Sequence, residues 1–187
     1  MAADAYLVGP SGELWVGLEQ ILLLTGTYER TLDDKLRLAL PKNFREALAA
    51  EKQLILTPGT DGSLSLFPSR AFAEFAEKLA ARSPTGRDVR AFSRLLYAQS
   101  QGVEVDSQGR IRLSGESARL ANLDGEVVLL GVGDRVELWN KSRWEAYLGE
   151  LQPRYDELAE SALSDKPNMP NESGALEQAA AAPGQPR

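Results

Sequence analysis

The sequence predicts an α+β fold in which one β-rich unit is written twice along 187 residues. Three observations carry that expectation. Residues recur at a fixed offset, strand-like alternation dominates within each copy, and short helical segments close each copy. A shift of 73 residues sets Leu32 on Val105, Asp33 on Asp106, Arg37 on Arg110, Leu38 on Ile111 and Leu40 on Leu113. LIL at 54–56 falls on VVL at 127–129. After a one-residue deletion in the next turn the shift is 72, and SLSLF (63–67) meets RVELW (135–139), then AFAEF (71–75) meets RWEAY (143–147).

The elements follow in the same order in both copies. A strand enters a four-residue turn and leaves as a second alternating strand, LRLAL in the first copy and RIRL in the second. A helix over 42–50 comes next, with Pro41 suited to its first turn, and GESARLA stands in its place in copy two. An apolar strand, a Gly-rich turn (58–62; 131–134) and another strand lead to closing helices at 69–81 and 141–151. Phe72, Phe75, Ala76 and Leu79 are spaced as the core face of the first closing helix, with a Glu74–Lys78 pair on its wet side. Phe67, Trp139 and Trp144 are expected in the core as well. The organisation is therefore an N-terminal extension (1–24), a first unit (25–81), a linker and helix (82–98), a second unit (99–151), and a helix start with a tail (152–187).

Between the copies, RSPTGRD reads as a linker and VRAFSRLLYAQ as a helix. It sets Val89, Phe92 and Leu96 on one face and Arg87, Arg90 and Arg94 on roughly the other. That arginine stripe suits a solvated face, a neighbouring subunit or DNA. Beyond Pro153, RYDELAESAL adds two or three helical turns, and the chain from about Ser164 has the composition of a disordered tail. Leu14, Trp15, Val16 and Leu18 give the N-terminal extension apolar material for packing.

Composition narrows the chemistry. Cysteine and histidine are both absent, which removes disulfides, thiolate metal sites, imidazole bases and every Ser-His or Cys-His nucleophile. No cofactor is expected. Asp33 and Asp34, the remaining acid–base candidates, point in different directions at a strand end and lack a phosphate-cradling loop. The chain is read as non-enzymatic. An acidic start and an ILLL run at 21–24, too short to span a bilayer, point to a cytoplasmic protein with no membrane partner.

The net charge of −6 belongs to the ends: residues 1–24 and 152–187 each carry −3, and 25–151 sums to zero. Within the middle, Arg30, Lys35, Arg37, Lys42 and Arg45 against Asp33 and Asp34 make a local +3 over 30–45. Local patches govern phosphate attraction.

Both copies place an Asp four residues before an Arg across the hairpin turn, Asp33/Arg37 and Asp106/Arg110. One reading is local: the Asp closes the turn through backbone N–H groups, and the pair is a surface ion bridge worth roughly 0–1 kcal/mol. The other is recognition. Guanidinium groups on a compact β hairpin suit phosphates and guanine edges in a major groove.

GTYERTLDDKLRLALPKNFREAL (26–48), LTPGTDGSLSLFP (56–68), VDSQGRIRL (105–113) and EVVLLGVGDRVELWNKSRWE (126–145) resemble the MraZ family from about residue 24 to 151. The resemblance implies two tandem units of the AbrB/MazE swapped-hairpin, double-psi-like barrel type, packed as an intrachain pseudo-dimer. It implies a bacterial transcriptional regulator encoded with division and cell-wall genes. Such a protein assembles into homo-oligomeric rings and binds repeated short sites in double-stranded promoter DNA, mostly as a repressor, so it would be associated with the nucleoid. The Asp-x-x-x-Arg motifs are its DNA-binding elements. By match these are Asp33 with Arg37 and Asp106 with Arg110, flanked by Lys35; Arg112, Arg30 and Lys42 complete the expected DNA-binding set.

Two departures stand out. Leu36 occupies the position of a turn Gly, where a β-carbon at positive φ costs about 1 kcal/mol, so either the turn is reshaped or Leu36 avoids the left-handed conformation. Ser114 replaces an expected Pro. An antitoxin-like module, whose tail would hold a toxin, is the alternative. Two fused units and a tail poor in large apolar anchors speak against it.

Overall fold

The computed structural model describes residues 7–8, 14–15, 23–49, 53–82 and 86–164. The chain divides into two compact units, Met1–Tyr147 and Leu148–Arg187. The expected disordered tail beyond Ser164 and part of the 82–88 linker lie outside the described residues.

In chain order the strands are β1 (Leu7–Val8), β2 (Leu14–Trp15), β3 (Leu24–Thr31), β4 (Arg37–Ala39), β5 (Leu54–Pro58), β6 (Leu64–Pro68), β7 (Gln101–Val103), β8 (Arg110–Arg112), β9 (Glu126–Gly133) and β10 (Val136–Asn140). The helices are α1 (Lys42–Leu48), α2 (Ser69–Ala80), α3 (Arg87–Gln99), α4 (Gly115–Leu120), α5 (Lys141–Leu151) and α6 (Tyr155–Leu163). The mixed α+β class is as the sequence predicts, and all strand pairs are antiparallel. β1 and β2 form their own small pair.

The main sheet has the order β3-β9-β10-β6-β5-β7. Its strands interleave the two copies (first, second, second, first, first, second), and exchanging the copies (β3 with β7, β5 with β9, β6 with β10) reads the same order backwards. The centre lies between β6 and β10, where Ser65 faces Glu137, with Leu64–Leu138 and Leu66–Val136 on either side. A second sheet of two strands pairs β4 with β8, again one from each copy.

This interleaving gives both copies one core. Leu38, Phe44, Leu56 and Leu66 from the first share a buried cluster with Ile111, Val127, Leu129 and Leu138 from the second. Gly131 allows a close strand approach: a β-carbon there would sit 2.5 Å from the Leu24 carbonyl carbon, so no side chain fits without moving β3.

Local chemistry accounts for the helices that frame the site. Pro41, at φ −54°, precedes α1 and its carbonyl accepts the Arg45 N–H at 3.0 Å. Phe44 and Leu48, four apart, are the buried residues of α1, and Tyr28 meets the Phe44 ring edge-on at 5.0 Å. In the second copy Ser114 caps α4, its Oγ accepting the Ser117 N–H at 3.0 Å. A serine there satisfies an N-terminal donor that proline leaves unbonded.

Two expectations about the first closing helix need correction. Phe72, Phe75, Ala76 and Leu79 do share a face, but α2 buries no residue fully; Phe72 and Phe75 lean on buried Phe67 with their outer sides open. Glu74 pairs with Arg70 at 3.3 Å, one turn earlier than the expected Lys78. On α3, Leu96 is buried and Val89 half-buried, while Phe92, on the same face, is 46% exposed. Arg87, Arg90 and Arg94 are exposed. Trp139 is buried as expected and packs against half-buried Trp144 at 5.6 Å.

In the second unit, the end of α5 passes through a 3-10 turn at Gln152–Arg154 into α6, the helix expected beyond Pro153. Among the described residues no helix is long and apolar enough to cross a membrane.

Candidate nucleic-acid interface

The turn before β4 is built by Asp33. Its Oδ1 accepts the backbone N–H groups of Lys35 and Arg37, both at 2.9 Å, and its Oδ2 accepts Arg37 Nε and Nη2 at 2.7 Å. The Leu36 N–H closes back on the Asp33 carbonyl at 2.8 Å. Leu36 lies at φ +57°, which corrects the expectation: the turn keeps its shape and leucine does take the left-handed conformation. Its side chain packs against the core, and its carbonyl accepts the Leu113 N–H at 2.8 Å, contacts that offset the strain.

The second turn repeats this pattern. Asp106 Oδ1 accepts the N–H groups of Gln108 at 2.9 Å and Arg110 at 3.0 Å, while Oδ2 accepts Arg110 Nε at 2.9 Å and Nη2 at 2.8 Å. Gly109, at φ +75°, sits where Leu36 sits in the first turn, and its carbonyl accepts the Leu40 N–H at 2.9 Å. Each turn is therefore fastened to the other copy, one at either end of the β4–β8 ribbon.

The register fixes the ribbon's outer face. Leu38 and Ile111 lie opposite each other and are 0% exposed. Side chains alternate along a strand, so Arg37, Ala39, Arg110 and Arg112 project the other way. Arg37 faces Arg112 directly, and Arg110 faces Ala39. Like charges opposite each other across strands are destabilising. Asp33 and Asp106 relieve part of that cost and, by holding the Nε/Nη2 edges, orient the guanidinium groups of Arg37 and Arg110. Exposed Arg112 and Lys35 have no side-chain partner among the described residues. The arrangement offers a two-stranded, outward-facing set of cations with two of them rigidly oriented, a shape that a DNA major groove admits.

Arg30 and Lys42, also in the expected set, are engaged elsewhere. The Arg30 guanidinium lies 6.0 Å from the Tyr28 ring centre and donates to the Glu29 carbonyl, and Lys42 pairs with Glu46 at 3.6 Å. A residue outside that set, Arg45, reaches the second turn: the Gly109 α-carbon is covered by its side chain. It was visible in the sequence only as part of the local +3 patch.

The turn carboxylates titrate below their ordinary range. At Asp33 the Arg37 backbone N–H is the main cause, followed by its guanidinium and the Lys35 N–H. At Asp106 the Arg110 side chain leads and its backbone N–H follows. A carboxyl depressed in the folded state adds stability that is complete above its unfolded value, near pH 4, and is lost as the pH falls below that through the folded value. Thermal melts should therefore fall off more steeply below about pH 4 for the wild type than for an Asp33→Asn/Asp106→Asn double variant. Equal acid limbs would mean that the turns carry no such linkage.

Comparison with known proteins identifies the family. A family described as "MraZ protein, putative antitoxin-like" matches residues 23–95 and again 96–165. The chain is 42% identical over 141 residues to the transcriptional regulator MraZ of Moorella thermoacetica, covering 75% of this chain and 97% of that protein. It is 41% identical over 141 residues to the MraZ regulator of Saccharopolyspora erythraea, with the same coverage of 75% and 97%. To that of Limosilactobacillus reuteri it is 39% identical over 143 residues, covering 76% and 99%. With two tandem matches and relatives covered almost end to end, the chain belongs to the MraZ family.

Proposed function

We propose that the chain is a sequence-specific DNA-binding transcriptional regulator, not an enzyme. It acts as a repressor at the promoter of the division and cell-wall gene cluster, in the cytoplasm and on the nucleoid. The observation that carries the reading is the outer face of the β4–β8 ribbon, where Arg37, Arg110 and Arg112 converge with Lys35 beside them. Its expected readout residues are Arg37 and Arg110, aimed by Asp33 and Asp106. The names of the relatives, all transcriptional regulators, support the same reading.

At the finer level, the two units (25–81 and 99–151) are swapped-hairpin, AbrB-like barrels packed as an intrachain pseudo-dimer. The palindromic strand order supports this. The chains assemble into a homo-oligomeric ring that engages repeated short sites. Support for self-association comes from α3, where Phe92 is 46% and Leu95 61% exposed, beside a groove of about 290 Å³ that also touches Phe67 and Phe75. A ring makes each later contact intramolecular and raises avidity roughly 10²–10⁴-fold.

The test is a salt titration of binding to DNA from upstream of the protein's own gene, with a scrambled fragment as control. Binding should prefer the upstream fragment, and its affinity should fall with salt at a slope of about −0.9 per phosphate contacted. Equal affinity for the two fragments, or no slope, would overturn the reading. The antitoxin-like alternative, named in the family's description, requires a small partner protein to co-purify at fixed stoichiometry.

A further inference from the structure

The two hairpin turns are built alike but supplied with charge differently. The first carries its own free cation, Lys35. The matching position in the second turn, 73 residues on, is Gln108, and the turn's remaining residues besides the Asp106–Arg110 pair are Ser107 and Gly109. On its own sequence the second turn has no free cation.

One arrives from the other copy. Arg45 stands on α1 of the first unit, and its side chain runs across the Gly109 α-carbon. A β-carbon at Gly109 would lie 2.6 Å from Arg45 Nη1 and 3.0 Å from its Cζ. Gly109 is buried although its turn neighbours Ser107 and Gln108 are exposed, which fits that cover. Arg45 itself is exposed and has no acidic partner among the described residues. The arrangement is one-sided. The residue matching Arg45 in the second copy is Ala118, which is buried, so the first turn has no counterpart of that covering arginine; what the second copy sets beside it is Arg112, opposite Arg37 on the ribbon. There the space over the turn is taken up differently, with Leu36 at the glycine position packing its own side chain inward. Glycine at 109 and arginine at 45 thus stand where the first turn has leucine at 36 and its helix partner has alanine at 118.

We propose that Arg45 is a DNA-backbone contact of the second hairpin, donated in trans by the first unit, and that it replaces the lysine the second turn lacks. The proposal rests on the DNA-binding reading above and assigns one phosphate to each hairpin tip: Lys35 serves the first and Arg45 the second. An arginine over a turn also packs through its methylene stem, so the test must separate charge from packing. Arg45→Met keeps the stem and removes the charge.

In the salt titration, Arg45→Met should lower the slope by about one per engaged hairpin and weaken binding roughly tenfold on promoter and scrambled DNA alike, since a phosphate contact carries no sequence information. Arg45→Lys should keep the slope. Adding Gln108→Lys to Arg45→Met should restore it, because it puts the cation where the first turn has its own. Thermal melts of the same variants check that the hairpin stays folded. Wild-type slope and affinity in Arg45→Met would overturn the proposal, as would failure of Gln108→Lys to restore a lost slope. The two readings fail separately: if wild type binds and Arg37→Ala does not while Arg45→Met is unaffected, only the Arg45 assignment falls. If wild-type binding has no salt slope, the DNA reading itself falls.

Discussion

Arg37→Ala is expected to abolish specific binding to promoter DNA while leaving the fold and the assembly intact. The fold should survive because little of it depends on that side chain. Arg37 is 33% exposed, its pair with Asp33 is a surface bridge worth about 0–1 kcal/mol, and the backbone bonds that close the turn remain. Binding should suffer because Asp33 holds this guanidinium in one orientation, and each well-aimed bidentate contact to a base edge is worth about 1–3 kcal/mol. The loss recurs in every subunit that engages a site, so the repeated contacts that build avidity are lost together. Arg110→Ala should act in the same direction through the second hairpin. The measurement is a mobility shift on promoter DNA with size-exclusion of the same samples. A variant that shifts the fragment as wild type does would remove Arg37 from the site.

The second large effect falls on the core. Leu38→Ala should cost about 2–5 kcal/mol, the range for truncating a fully buried leucine, from a total stability of about 5–15 kcal/mol. Leu38 is 0% exposed, faces Ile111 across the ribbon and bridges to Leu32 in its own copy. Because the strands of the two copies interleave in one sheet and share the main core, the larger apolar interior belongs to both copies; the smaller cluster of Val128, Leu130 and Trp139 lies within the second. Urea unfolding of the Met1–Tyr147 unit should therefore stay a single transition, with protection from hydrogen exchange lost in both copies together. Leu38→Ala and Ile111→Ala should also be non-additive by more than about 0.5 kcal/mol, as neighbours sharing one space are. A cost under about 1 kcal/mol, or a second copy that stays protected after the first has opened, would show that the copies do not depend on each other in this way.

Much of this was legible in the sequence because it is local. Asp33 and Asp106 bond to N–H groups two and four residues ahead, within reach of the chain's own geometry, so the turn follows from residue type and spacing alone. The helix positions are set by apolar spacing and by Pro41 and Ser114 at their starts, and they fall within a few residues of the expected spans. Where the expectation went astray, the deciding neighbour was distant. Spacing puts Phe92 on one face with Val89 and Leu96, but how far each of them is covered depends on where α3 lies. Leu36 at positive φ looks costly from the sequence, and only the packing of its side chain and the Leu113 N–H on its carbonyl explain how the turn keeps its shape.

The repeat shows that two like units exist and what each turn is made of, and those facts belong to the sequence. It does not say which copy a strand joins, because the hydrogen bonds and apolar contacts made within a copy and between copies use the same residues in the same local conformation. Tertiary structure made that choice. Pairing across the copies sets β4 against β8, brings Arg37 and Arg112 onto one face, and lays Arg45 over a turn 64 residues away along the chain. The physical reason is range: turn chemistry acts over four residues, while the candidate interface is made by contacts that exist only once strands of the two copies lie side by side.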